Sequence, residues 1–487
     1  MPVMKLNRKC FSNIIIFTFV ILLNPVSLPA NNINRDLREL SVSTMRKAAI
    51  FFRNEVASHG GYVYYYSIDL QQCWGEGQAT AEQIWVQPPG TPTVGMAYLK
   101  AYEATGEKFY LDAATDAAEA LIYGQLQSGG WTNCIDFNPN GTRTALYRNG
   151  KGQGKNYSSL DDGQTQSAIR FLALTDKTHK FNHKKIHEST ILALDALLAA
   201  QFPNGGFPQV WKAPVERQPI TKASYPNYDW RTEGRIKDYW NMYTLNDNVP
   251  GYITQTLIDA DRIYRDEKYK MALRRLGDFL LLAQMPDPQP AWAQQYNYQM
   301  NPIWARKFEP AAIAGDESQE VIETLMDIYA ATGKHKYLEP IPQALDYLKR
   351  SLLPDGRLAR FYELKTNKPL YMFRRGDVYT LTYDDSDLPS HYGWKISSRL
   401  EKIESRYNQL NQVITVIKPK HDIADLERHV RKIIADLDEK GRWISTYQGK
   451  RLTGQPKFKL NTPYISSEVF SRNIETLSEY IIATHKN

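Results

Sequence analysis

The chain has 487 residues, 42% of them apolar and 23% charged, which excludes a disordered polymer. Its formal charge of +7 is mild, and no dense Lys/Arg stripe accompanies it, so nucleic acid is not an expected partner. No segment approaches the roughly twenty apolar residues of a membrane span. The 31 Tyr and 10 Trp suit stacking on sugar faces, and suit a large core equally well.

In chain order, residues 1–30 read as an export signal. Lys5, Arg8 and Lys9 precede the apolar run "IIIFTFVILL", and "NPVSLPA" ends at Ala30 as a cleavage point. Losing those three cations takes the charge from +7 to +4. The mature chain, 31–487, is then expected to be exported and free in solution, as a single catalytic domain. It keeps Cys73 and Cys134, a pair whose spacing decides nothing about a disulfide.

A plan of amphipathic helix, Gly turn and aromatic residue then repeats. A helix over "STMRKAAIFFRNEVA" leads into "HGGYVYYY" at His59–Tyr66. Hairpins follow over 101–131, 175–207, 263–287 and 328–358, with a weaker one over 426–443. In "LDAATDAAEALIYGQL" the apolar residues fall three and four apart, so one face is buried. Glycine after each helix supplies a left-handed stop. Six such units in one chain predict an all-α fold: an α/α toroid with long loops and short strands at one rim. The aromatic, charged insertion "YPNYDWRTEGRIKDYWNMY" (225–243) is the longest such loop.

Two helix starts are rich in oxygen. "SLDDGQT" places Asp161 and Asp162 ahead of one helix, and "LNDN" places Asp247 between Asn246 and Asn248 ahead of another. Either set could cap its helix. Brought together at one rim, they would instead offer a hard cation the oxygen ligands that calcium takes. Arg306, in "NPIWARKFEPAAIAGDES", sits among Trp304, Phe308, Glu309 and Glu317. It reads as a group acting on an acidic substrate, or as half of an ion pair with Glu309 or Glu317. His179, His183 and His187 are spaced as if along one helix face but lack the acidic partner of a zinc motif.

These segments resemble the pectate lyases of polysaccharide lyase family 10. The likeness runs from Ala101 to Trp394, through "GQLQSGGW", "AAQFPNGGFPQV", "DDGQT", "LNDN", "WARKFEP", "GDES" and, most specifically, "RLARFYELKTNKPLYMFRRGD". Such enzymes cleave polygalacturonate by β-elimination with calcium and an arginine base. The resemblance implies calcium ligands at Asp161, Asp162 and Asp247, and the base at Arg306. It puts Arg374 or Arg375 near an arginine that holds a substrate carboxylate. Trp131, Phe207, Trp240 and Trp304 are the candidate sugar platforms, with core packing as the alternative for each. The expected partner is an anionic uronate polymer, met by a monomer.

The chain also departs from the family. Asp162 stands where Asn is usual, Gln295 and Asn297 where His and Asp are usual, and "DLPSHYGWK" lacks an arginine pair. Two other readings stay open: a glycoside hydrolase using Asp161 or Asp162 with Asp247 as acid and base, and a glycan-binding protein without activity.

Overall fold

The computed structural model describes residues 30–411, 423–454 and 456–485. The expected signal lies outside these residues, apart from Ala30. Among them are twelve α-helices: α1 (Ala30–Phe51), α2 (Thr91–Thr105), α3 (Lys108–Tyr123), α4 (Gln164–Thr178), α5 (Lys184–Ala199), α6 (Val249–Tyr264), α7 (Glu267–Ala283), α8 (Gly315–Thr332), α9 (Ile341–Arg350), α10 (Leu400–Asn411), α11 (Ile423–Ala435) and α12 (Ser467–Thr484). None is long and apolar enough to cross a membrane.

The fold is an α/α toroid. Inner helices α2, α4, α6, α8 and α10 pack each on the next, and α12 returns from the chain's end to pack on α2. Helices α3, α5, α7 and α9 fold back on the inner helix before them. In α3 the buried residues Tyr110, Ala113, Ala114, Ala117, Ala118 and Leu121 form the apolar stripe expected from their spacing. Small side chains along it let neighbouring helices approach closely.

Strands gather at one rim for a topological reason. Five inner helices each come soon after a short strand, some across a turn, and each strand pairs antiparallel with a segment one hairpin away. Gln83–Trp85 pairs with Cys134–Asp136, Ser158–Ser159 with Val210–Trp211, and Tyr243–Thr244 with Gln295–Tyr296. Ala312–Ala314 pairs with Phe361–Glu363, and Pro463–Ser466 with Tyr65–Ser67. Every N-terminus of these inner helices therefore opens on the same rim.

A repeated latch ties hairpin to hairpin. The backbone N–H of Tyr62, Trp131 and Trp292 donates to a hydroxyl near the start of the next inner helix. The acceptors are Thr91 Oγ1 (2.9 Å), Thr165 Oγ1 (3.0 Å) and Ser318 Oγ (3.1 Å). The indoles of Trp131, Trp292 and Trp443 reach back to carbonyls at the ends of α3, α7 and α11, donating to Leu121, Leu280 and Ile433. A buried indole N–H needs such a partner. Trp131 is wholly enclosed by this role, and Phe207 is packed in the same core, so neither offers a ring to a sugar. Cys73 and Cys134 are both free thiols, and burial pushes the pKa of Cys134 up to about 12.

Glycine is required where outer helices turn back to the rim. Gly129 and Gly205 both have φ of +95°, and a Cβ on Gly205 would lie 1.8 Å from the carbonyl oxygen of Arg275. Backbone cannot yield there as a side chain would. Gly205→Ala should therefore cost about 1–3 kcal/mol or more in strain. A lowered melting temperature by calorimetry checks this, and an unchanged one would contradict the assigned turn.

Candidate active site

Two turns of the same form build the centre of the rim. After Ser158–Ser159 comes buried Leu160, then a 3₁₀ turn over Asp161–Gly163, then α4. After Tyr243–Thr244 comes buried Leu245, then a 3₁₀ turn over Asn246–Asn248, then α6. Each turn ends on two left-handed residues. These are Asp162 (φ 45°) and Gly163 (φ 72°) in one, and Asp247 (φ 52°) and Asn248 (φ 54°) in the other. Gly, Asn and Asp are the residues that tolerate this region best. The N-cap positions are consequently Gly163 and Asn248, and neither helix receives a side-chain cap. Asp161, Asp162 and Asp247 are not helix caps, because the turn carries them past the cap position.

The carboxylates converge instead. One oxygen from each of Asp161, Asp162 and Asp247 lies within 4.8 Å of the others. Buried amides hold them. Gln209 Nε2 donates to Asp161 (2.8 Å), Gln87 Nε2 to Asp162 (2.9 Å), and Asn246 Nδ2 to Asp247 (2.6 Å). Glu76 adds a fourth carboxylate at the edge, bound by Gln87 (3.2 Å) and Asn133 (3.0 Å). Desolvation, then Asp161 and Glu76, push the pKa of Asp162 up to about 6, against the pull of Arg306. Burial, then Asp161 and Asp162, raise Asp247 well above the ordinary carboxylate range, against the pull of Arg306. An all-oxygen donor set whose members repel one another fits a hard cation such as calcium.

Arg306 borders this cluster. Its Nη2 lies 4.0 Å from Asp247 Oδ2. The same guanidinium is gripped by Glu309 through Nη2–Oε1 at 2.6 Å and Nε–Oε2 at 2.7 Å. Burial works against the cation, but Glu309 and Asp247 outweigh it and hold the Arg306 pKa above its usual value. Tyr392 donates to Glu309 (3.0 Å), while Gln294 Nε2 donates to Asn246 (2.9 Å) and Glu317 (2.8 Å). Arg360 Nη2 pairs with Glu317 at 3.0 Å. Both expected partners of Arg306 thus belong to one network, with Glu309 in direct contact and Glu317 reached through Gln294.

The other candidates scatter. Trp240 and Trp304 are half-buried at this rim, and the Trp240 carbonyl accepts from Gln209 N at 2.9 Å. Arg374 and Arg375 are exposed on the hairpin Pro369–Arg375/Val378–Thr382, and neither contacts the acidic cluster. Arg374 lies over Tyr379, with its Cζ 5.4 Å from the ring centre. Gln295 donates to Thr244 Oγ1 at 3.2 Å within its strand pair, and Asn297 Oδ1 accepts from the N–H groups of Gln299 and Asn301. Both departures thus occupy structural positions. His179, His183 and His187 do not share a helix face, since the chain leaves α4 at His179 and enters α5 after His183. His187 Nδ1 sits 2.8 Å from Asp176, and His179 Nε2 sits 2.8 Å from Thr115.

Residues missed from sequence share a pattern. Gln87, Gln209 and Gln294 each stand two positions after a buried aromatic, namely Trp85, Phe207 and Trp292. Asn133 stands likewise after Trp131. An aromatic-x-amide repeat was the available signal. Tyr392, Glu76 and Arg360 carry no comparable mark.

Comparison with known proteins bears on this rim. Residues 125–334 match the family model described as pectic acid lyase. Compared with curated protein sequences, the chain matches none. A point mutant of a family 10 polysaccharide lyase from Cellvibrio cellulosa, in complex with a trigalacturonic acid, is 18% identical. It covers 66% of this chain and 98% of its own, with a TM-score of 0.44. Cellobiose 2-epimerase from Spirochaeta thermophila is 15% identical over 95% of this chain and 100% of its own, at 0.46. A family 76 α-mannanase from Bacteroides thetaiotaomicron is 10% identical over 94% and 98%, at 0.42. At these scores and identities the structural likenesses carry no argument about activity.

The raised carboxylates set a pH dependence. A carboxyl whose folded pKa exceeds its unfolded value favours folding below the unfolded pKa, and that contribution is lost as pH rises through the folded one. For Asp162 the loss spans the interval up to about 6, and for Asp247 it lies higher still. In chelator, Asp247→Asn should therefore melt with wild type near pH 4. It should melt above wild type near pH 8, by the one to several degrees that about 1 kcal/mol makes in a large domain. Scanning calorimetry at both pH values checks this; a variant less stable at pH 8 would mean the repulsion is already relieved.

Proposed function

We infer, for a chain that is a polysaccharide lyase with residues 125–334 matching the pectic acid lyase family, that it cleaves a 4-linked uronate polymer by calcium-assisted β-elimination. The observation that carries this is the meeting of Asp161, Asp162 and Asp247 with Arg306 at one rim. Elimination removes the proton on the carbon next to the uronate carboxylate, and charge builds beside a group already negative. Asp161, Asp162 and Asp247 would hold a calcium ion, which when bound supplies neutralisation of that carboxylate and of the developing charge.

Arg306 is the proposed base, acting on the substrate at the edge of the cluster. It must first give up a proton of its own, and an arginine does this only where other cations disfavour its charge. Glu309 acts the other way, because its two short contacts favour the protonated guanidinium. That pair supports a second reading, in which Arg306 stays charged and clamps the substrate carboxylate. In either reading Tyr392 fixes Glu309 and so the guanidinium plane. Arg374 or Arg375 is the proposed holder of a substrate carboxylate, and Trp240 and Trp304 the sugar platforms. Export, expected from residues 1–30, would bring the enzyme to polymers too large to enter a cell.

A lyase leaves an unsaturated product that absorbs in the ultraviolet. Polygalacturonate should yield this absorbance, chelator should abolish it, and calcium should restore it. Arg306→Ala should lower kcat by about a thousandfold or more, the scale set by loss of a base or a charge-stabilising donor. The pH profile separates the two readings. A base makes kcat/KM climb tenfold per pH unit toward its own pKa. A clamp leaves the alkaline limb flat, and Arg306→Ala then acts largely through KM. New reducing ends without ultraviolet absorbance would instead mean a hydrolase.

A further inference from the structure

The 225–243 insertion packs against the Arg306 segment. Arg235 forms a parallel bridge with Trp304, and Ile236 N donates to Trp304 O at 3.3 Å. Trp304 in turn donates its indole N–H to the Arg306 carbonyl at 3.0 Å. Between insertion and hairpin lies an open cavity of about 350 Å³, with Trp304 and Tyr379 among the lining rings. A chain of rings leads to it from the site. The Arg306 guanidinium carbon lies 5.4 Å from the Phe308 ring centre, and Phe308 lies 5.5 Å from Tyr379.

Charge in the cavity is uneven in its availability. Arg231 is spoken for by Glu363, a carboxylate buried to 1% exposure. Asp377 lines the cavity as an exposed carboxylate and lies 3.8 Å from Arg374, which is not part of the lining. Glu233 also lines the cavity as an exposed carboxylate. Arg235 is exposed, and among the described residues its guanidinium has no ion-pair partner. Lys307 is exposed, with a single long contact at 3.5 Å to the Asp377 carbonyl. Two aromatic rings and two cations without an ion-pair partner in one lining describe a place for a sugar ring that bears a carboxylate.

We propose that this cavity is a subsite for a second acidic sugar of the same polymer, its ring against Trp304 and Tyr379 and its carboxylate on Arg235 and Lys307. It rests on the uronate-lyase reading above and adds that the insertion selects for an acidic residue beyond the reacting one. Neutral or esterified sugar at that position would leave both cations without an anion.

The test compares wild type, Arg235→Ala, Arg235→Lys and Lys307→Ala. Binding is followed by affinity electrophoresis in polygalacturonate, and turnover on oligogalacturonates of increasing length and on their methyl esters. Both sites are exposed, so the variants should melt with wild type. Expected are an about tenfold fall in kcat/KM on long acidic oligomers, carried by KM, and weaker retardation in the gel. The shortest cleavable oligomer should be unaffected, the methyl esters should be poor substrates for wild type and variants alike, and Arg235→Lys should recover much of the loss. Unchanged kinetics on long substrates, or equal loss at every length, would overturn the subsite while leaving the lyase reading standing. A wild-type chain that neither cuts nor binds any uronate would overturn both.

Discussion

Three carboxylates facing one another with one arginine at their edge is the arrangement on which the rest depends. Burial, and then like charge at this separation, raise the pKa values of Asp162 and Asp247. The toroid bears that cost because its inner helices, strands and latches are satisfied elsewhere. Trp131 and Thr165, Trp292 and Ser318, and Tyr62 and Thr91 fasten successive hairpins by backbone hydrogen bonds that involve none of the acids. The scaffold can thus hold two strained turns in register, as sites that concentrate one sign of charge commonly require.

Arg306 lies between two demands. Asp247 and its neighbours need a cation, and Arg306 is 4.0 Å away. Glu309 holds the same guanidinium more closely, in two contacts, and is itself fixed by Tyr392. The arginine therefore compensates the cluster only in part and leaves it in need of further positive charge. The surrounding amides sharpen this. Gln87, Gln209 and Asn246 each donate to a carboxylate, so they orient it without discharging it.

The wall beside Arg306 has a different character. Insertion and hairpin are joined through Arg231 and Tyr383, both bonded to the buried Glu363. That pairing anchors an otherwise polar loop, since a buried carboxylate left alone would be costly. Anchored in this way, the loop presents Arg235 beside Trp304 instead of lying free in solvent.

By itself, the sequence determined the helical hairpins and their order. A three-to-four spacing of apolar residues is a local property that any packing must respect. Left-handed glycine ends α2 at Gly106 and α8 at Gly333. Helices α4, α5, α6, α7 and α9 stop on other residues, against the expectation of a glycine stop at each helix. It also marked Asp161, Asp162, Asp247 and Arg306, because acid-rich turns before helices and an arginine between aromatics stand out residue by residue. Tertiary structure alone decided what those groups face. Whether Asp161 caps α4 or turns to Asp247 depends on left-handed backbone at Asp162 and Gly163, set by strand pairing across hairpins. Whether Trp131 is platform or latch depends on a carbonyl ten residues back and a hydroxyl on the next helix. Such choices rest on contacts between segments distant in the chain, and no local pattern encodes their distance or direction.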